Sequence, residues 1–340
     1  MVLQWLFPKL SVSIVKILYH RDGKGLFSSM NPDKLRLIVQ ICKMYFHEEL
    51  SQNEIADRLY ISRPQVSKLI TKAKRNNIVS VNINDPFSNE YLLAEKLKKR
   101  YRLENAVVID MNGLNHKEAF VALARSISII FTSYIVNGSL IGISAGYTVA
   151  ACSKYTNIYN CRNLRFVALI AGESFEGEEW YANSNCSRFA NRLGGKYTML
   201  NTPFIIREDK VRRQLEENMA VKPVLDCYNN LDVILLGIGQ TSLGSTLDRC
   251  SMSKEEIIWA YEHGAKAIIG ASFIDAGGNE MLQGQSDIFM GIKADQIRKC
   301  KSVIAVAMGR EKIEAIKAVL KGEYINVLGT DLEVAKELVK

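Results

Sequence analysis

Two hydrophobic periodicities divide the chain. Through residue 101 the apolar positions recur every three to four residues, the spacing of amphipathic helices; from Glu104 onward short apolar runs alternate with helical stretches. In the first part, Pro32 and Asp33 open a helix whose apolar positions are Leu35, Ile38, Val39, Cys42, Tyr45 and Phe46. Ser51, with Glu54 three residues on, has the form of a capping box, and Ile55, Ala56 and Leu59 give the helix that follows an apolar stripe. Tyr60 and Ile61 break the period. Ser62 then opens another helix, with Gln65 in the partner position of a second box. Val66, Leu69, Ile70 and Ala73 are spaced to face inward, and Gln65, Lys68, Lys72 and Arg75 form a polar, basic opposite face. Asn76-Asn77 ends this helix. Residues 78–83 (IVSVNI) alternate like one strand of a small wing, and the segment closes near Asp85-Pro86.

A helix, a short turn and a second helix with donors in its first turns describe a helix-turn-helix. Two capped amphipathic helices can also be a solvated hairpin. What selects DNA binding is the cluster Arg63, Gln65, Ser67 and Lys68, placed where base edges are reached. Ser62 and Lys72 complete the expected contact set. Residues 89–101 predict a basic helix punctuated by Leu92, Leu93, Leu97 and Tyr101, whose apolar face suits a linker or a dimer contact.

Beyond residue 104 the apolar runs predict strands at 106–110, 140–143, 165–170, 197–200, 232–236, 267–270, 302–307 and 325–328. Helices are predicted at 117–136, 183–193, 253–263, 311–321 and 331–338. Strands separated by helices imply an α/β domain with a largely parallel sheet, which takes ligands at the carboxyl ends of its strands. The expected organisation is an extension over 1–29, a DNA-binding domain over 30–86, a linker helix over 87–104 and an effector domain over 105–340.

Several predicted strand ends run into small, polar loops. Ser144-Ala145-Gly146-Tyr147-Thr148 follows a strand and opens a helix, a place where backbone N–H groups and hydroxyls hold phosphate. Gly172-Glu173-Ser174, Gly237-Ile238-Gly239-Gln240-Thr241, Gly309-Arg310-Glu311-Lys312 and Thr330-Asp331 occupy similar places. Each alone reads first as turn and cap chemistry; several at one sheet edge favour a shared polar pocket. Asp275, in the turn Asp275-Ala276-Gly277-Gly278-Asn279, is either a turn former or a carboxylate for sugar hydroxyls. Tyr147, Trp180 and Tyr181 either stack on a ligand or pack.

Charge sharpens this division. The 340 residues carry a net charge of +8. Residues 1–100 hold 17 Lys and Arg against 9 Asp and Glu, whereas the remainder holds 27 of each. The positive excess thus sits with the candidate DNA-binding segment. Seven cysteines at scattered positions show no CxxC and no metal-ligand spacing, and the 4 histidines form no local cluster. They imply reduced core thiols in a cytoplasmic protein, with neither metal nor cofactor. Residues 1–29 are apolar but broken by Pro8, Lys9 and Lys16, unlike a membrane span or a signal peptide. Met30 is the expected natural start; the rival reading makes 1–29 an amphipathic arm that packs on a partner.

Taken together, LSQNEIADRLYISRPQVSKLITKAKRNNIVSVNI (50–83), GISAGYT (142–148), LLGIG (235–239), GASFIDAGG (270–278), GREKIEAIKAVLKG (309–322) and INVLGTD (325–331) resemble the SorC family of bacterial sugar-responsive transcriptional regulators. The resemblance spans some nine-tenths of the chain, from Pro32 to the C-terminus. It implies a small helix-turn-helix, winged-helix-like domain, then a large α/β domain similar to glucosamine-6-phosphate deaminase and ribose-5-phosphate isomerase. It further implies a sugar or sugar-phosphate effector. By matching motif, Ser144, Gly146 and Thr148 line the pocket, with Gly172, Glu173, Ser174, Gly239, Gln240, Asp275 and Lys312 around it. The chain departs from the family pattern at Ala145, where an aromatic is common, and at Glu173, where a second small residue is common.

The deaminases place an acidic residue and a histidine just after the strand that ends LGIG. Here that stretch is Gln240-Thr241-Ser242-Leu243, so a binding scaffold is expected rather than an enzyme. The alternative is an isomerase- or deaminase-like enzyme with an added DNA-binding arm. The resulting expectation is a regulator, a repressor, of a carbohydrate operon. It would act as a homodimer or homotetramer on operator DNA, away from membranes.

Overall fold

The computed structural model describes residues 31–76, 78–79, 88–157, 161–172, 180–242, 245, 247, 252–281 and 288–340. The chain divides into two compact units between Pro86 and Phe87.

The first unit contains α1 (Pro32–Phe46), α2 (Gln52–Leu59) and α3 (Arg63–Arg75). Asn31 caps α1 through the Asp33 N–H, and the Ser51–Glu54 box is complete, at 3.3 and 2.8 Å. Ile38, Ile41, Ile55, Val66 and Ala73 are fully buried between the three helices, so the apolar stripes meet as their periods require. Between α2 and α3 the chain turns through Tyr60, in the left-handed region at φ 52°. Of the expected wing strand, only Ile78 and Val79 are among the described residues, and both are buried in this small core.

The second unit begins with α4 (Ser88–Tyr101), β1 (Asn105–Ile109), α5 (His116–Ser133), β2 (Leu140–Ile143), α6 (Tyr147–Tyr155) and β3 (Arg165–Ala168). It continues with α7 (Ala182–Leu193), β4 (Lys196–Thr198), α8 (Asp209–Glu216), α9 (Lys222–Cys227), β5 (Val233–Gly237), β6 (Gly239–Gln240), α10 (Lys254–Glu262), β7 (Ala265–Ile269) and β8 (Ser272–Asp275). It closes with α11 (Ala294–Lys299), β9 (Ser302–Val306), α12 (Ile313–Lys321), β10 (Val327–Asp331) and α13 (Leu332–Leu338). The helix expected as a linker, α4, packs on β1 and α13 and places Ala94 and Leu97 in the larger core.

Among the described residues seven strands form a parallel sheet in the order β1-β10-β9-β5-β2-β3-β4. β2 and β10 are buried along their whole length, as strands covered on both faces must be. Helices α5, α6 and α7 pack side by side against this sheet. The pairing is not parallel throughout: β6, β7 and β8 form a separate antiparallel sheet, on which α12 packs. The short helices α8, α9 and α11 and the two-residue β6 leave no signature in the hydrophobic pattern. Each spans too few residues, or too few apolar ones, to show a period.

The strand order reverses once at the centre. From β2 the chain moves outward to β3 and β4, then returns to lay β5 on the other side of β2. The loops leaving β2 and β5 therefore diverge and leave a crevice at the carboxyl end of the sheet.

Candidate functional site

A cavity of about 150 Å³ occupies that crevice. Its floor is the loop after β2 and the first turn of α6: Ser144, Ala145, Gly146, Tyr147 and Thr148. The loop after β5 supplies Gly237, Ile238 and Gly239, and Lys312 enters from the segment after β9. Phe120, Ile170, Trp180, Phe204 and Ile268 make apolar walls.

Gly146 shapes the floor. It sits at φ 131°, ψ 145° as the N-cap of α6, a conformation essentially confined to glycine, and no side chain caps this helix. Gly309 repeats the geometry at φ 104°, ψ 138°, before the single 3₁₀ turn Arg310–Lys312 that leads into α12. Asp331 braces that second corner, accepting from the Gly309 N–H at 2.7 Å while it caps α13 through the Val334 N–H at 2.9 Å. The cavity thus meets an uncapped helix N-terminus, which carries partial positive charge.

Lys312 is half-buried, and its ammonium donates to the Ile238 carbonyl at 3.1 Å. Burial pushes its pKa below the ordinary lysine value, against a smaller upward pull from Glu311. A cation held in an apolar wall, near an uncapped helix start, is equipped to take an anion. Among the described lining residues there is neither a carboxylate nor an imidazole.

The structure therefore brings Ser144, Gly146, Thr148, Gly239 and Lys312 to one cavity. Gly172 does not line it; its carbonyl accepts from the Asn183 side chain at 3.2 Å. Gln240 follows Gly239 in β6 and does not line the cavity, though its Oε1 is buried with no partner among the described residues. Asp275 lies outside the cavity lining. Its carboxylate accepts from the Gly277 and Asn279 N–H groups, each at 2.8 Å, so here it forms the turn. Glu173 and Ser174 lie outside the described residues.

One residue of this region carries no sequence signal. Asn185, on α7 and fully buried, donates to the carbonyls of Ser144 (3.1 Å), Trp180 (3.2 Å) and Gly146 (3.4 Å). A lone asparagine in a helical pattern gives no hint of this; only the return of α7 alongside the β2 loop does.

In the first unit Ser62, Arg63, Gln65, Ser67 and Lys68 are exposed on α3 and Lys72 is half-buried. The Ser62 hydroxyl accepts the Gln65 N–H at 3.4 Å, but the expected return bond from the Gln65 side chain is absent among the described residues. The Gln65 amide thus remains available on the surface beside Arg63.

Comparison with known proteins agrees with this architecture. Residues 85–340 match the family model described as "Putative sugar-binding domain". The chain belongs to this sugar-binding domain family, and the SorC resemblance carried by its motifs holds. It is 28% identical to the sorbitol operon regulator of Klebsiella pneumoniae, over 91% of this chain and 99% of the relative. It is 26% identical to the deoxyribonucleoside regulator of Bacillus subtilis, over 91% and 99%. The crystal structure of the full-length Klebsiella regulator superposes with a TM-score of 0.71 at 27% identity, covering 91% of this chain and all of that one.

Proposed function

We propose that this protein is a DNA-binding transcriptional regulator of carbohydrate metabolism whose affinity for its operator is set by a sugar or sugar phosphate bound in the second unit. One observation carries the effector half of this reading: an uncapped helix N-terminus and a half-buried lysine line the same cavity, at the point where strand order reverses. Anionic small molecules are recognised this way, with backbone N–H groups, hydroxyls and one ammonium around the charged end. The apolar walls suit the carbon skeleton. The names of the relatives, regulators of sorbitol and deoxyribonucleoside operons, support the same class.

For the output half, α2 and α3 act as a helix-turn-helix, with Arg63, Gln65, Ser67 and Lys68 reading the major groove and Ser62 and Lys72 close to phosphate. The protein works in the cytoplasm as a homo-oligomer on a repeated operator, since two recognition helices at fixed spacing are how such folds gain affinity. Catalysis is disfavoured because the described cavity lining lacks a carboxylate or imidazole that could move a proton. The test is operator binding by gel shift, with and without a panel of sugars and sugar phosphates. A compound that binds the protein must shift operator affinity, and operator must shift that compound's affinity by the same factor. Turnover of any of these compounds would overturn the reading.

A further inference from the structure

We infer that Asn185 is a positioning residue for the effector: it sets the anion-binding conformation of the loop after β2 and locks that loop to the Trp180 wall of the cavity. This rests on the effector reading above and goes beyond it by naming the group that builds the site without lining it. Three carbonyl oxygens, of Ser144, Gly146 and Trp180, converge on one side-chain NH₂ at 3.1 to 3.4 Å. Carbonyl oxygens repel one another, so this convergence needs a donor at its centre, and the fully buried Asn185 side chain supplies it. The same loop is joined to the same wall a second time, through the Gly146 N–H and the Trp180 carbonyl at 2.8 Å.

The geometry has a direct consequence for ligand recognition. In a trans peptide the carbonyl and the next N–H point in opposite directions, and no cis peptide occurs among the described residues. Holding the Ser144 carbonyl against α7 therefore turns the Ala145 N–H away from α7, and Ala145 lines the cavity. Asn185 thereby fixes which way the loop's donors face. Trp180, itself almost fully buried and stacked on Tyr181 at 4.4 Å, is held by the same amide and moves with the loop.

The experiment compares the full-length protein with Asn185→Asp, which keeps the shape but presents oxygens to the three carbonyls, and Asn185→Ser, which keeps one donor. Inorganic phosphate and ribose 5-phosphate serve as probes, titrated by calorimetry and by tryptophan emission; operator binding without probe and thermal stability are measured in parallel. The expected result is a loss of probe affinity in the order Asp, then Ser, of about tenfold or more for Asp, as for other residues that orient a binding group. Operator affinity without probe should be unchanged, and the probe-induced change in tryptophan emission reduced. Lys312→Ala separates the two readings. If it loses the probes while both Asn185 variants keep wild-type affinity, the positioning role is wrong and the effector site stands. If the wild type binds neither probe, the anion-site inference fails, while the panel of sugars and sugar phosphates decides the effector reading separately. A loss of affinity that follows melting temperature rather than donor number, with operator binding lost in step, also overturns it. Should Asn185→Asp not fold, the partial loss in Asn185→Ser, set against unchanged operator affinity, decides the question.

Discussion

The ammonium of Lys312 donates to the main-chain carbonyl of Ile238 at 3.1 Å, tying the segment that leads into α12 to the loop leaving β5. A cation in this position costs stability, because burial disfavours its charged form. It is the sort of residue that a fold keeps for binding rather than for packing.

Replacing Lys312 with methionine should weaken binding of a phosphorylated effector by tenfold or more and leave effector-free operator affinity intact, as measured by calorimetry and gel shift. The pH dependence has a definite sign. With its folded pKa lowered, Lys312 binds its proton less tightly in the native state than in the unfolded one. Stability relative to Lys312→Met therefore rises as pH climbs from the lowered value towards the ordinary lysine value. Affinity for an anionic effector falls over the same range. Paired melting curves and titrations at alkaline pH check both.

Arg63→Ala should cost operator binding about 1–3 kcal/mol and relax sequence preference at one base pair, with effector affinity unchanged. Lys72→Ala should instead reduce the slope of log affinity against log salt by about 1, as expected of a phosphate contact. Salt titrations of the two variants tell base contact from backbone contact.

Tyr60 is 96% exposed and holds a left-handed backbone at φ 52°, where a Cβ is penalised and its ring buries nothing. Tyr60→Gly should therefore stabilise the first unit by about 1 kcal/mol, the gain seen when strain at such a site is relieved. Denaturant unfolding of the wild type and the variant gives the answer, and a decrease in stability would count against the turn geometry.

Asp275→Ala should lower stability without changing effector affinity, because its carboxylate serves the turn. Burial pushes the carboxyl up, but hydrogen bonds from Asn279, Gly277 and Gly278 outweigh it and hold the pKa below the usual value. The stabilisation from ionised Asp275 is thus full above the unfolded carboxylate pKa and is lost as pH falls through the lowered folded one. An effector affinity that drops in Asp275→Ala at neutral pH would restore the carboxylate to the binding site.

Much of this is visible in the chain because periodicity is local. The box at Ser51, the stripe of α3 and the run of β2 each depend on neighbours within one element, and the structure keeps them, whereas the box expected at Ser62 keeps only its hydroxyl bond. Gly146 and Lys312 are legible for a similar reason: a strand that runs straight into a helix through glycine marks a loop at a sheet edge. Asp275 shows where local reading ends, since the same Asp-x-Gly-Gly suits a turn and a sugar ligand alike. Asn185 is illegible in principle, because its partners lie up to 41 residues away and meet it only when α7 returns to the β2 loop. The antiparallel pairing of β7 and β8 was hidden by the same ambiguity, as two short apolar runs do not state their relative direction.

The reversal of strand order between β2 and β5 also sets a timetable for biosynthesis. Those two strands touch in the finished sheet, and the Leu140 N–H meets the Asp232 carboxylate at 2.8 Å across 92 residues of chain. Phe120 and Lys312 line the same cavity from distant parts of the sequence. A nascent chain therefore has no complete cavity until β9 and the turn after it have left the ribosome and joined the sheet. Ligand present at that moment stabilises only finished molecules. The metabolite that the protein senses would then also favour the survival of correctly completed copies over truncated ones.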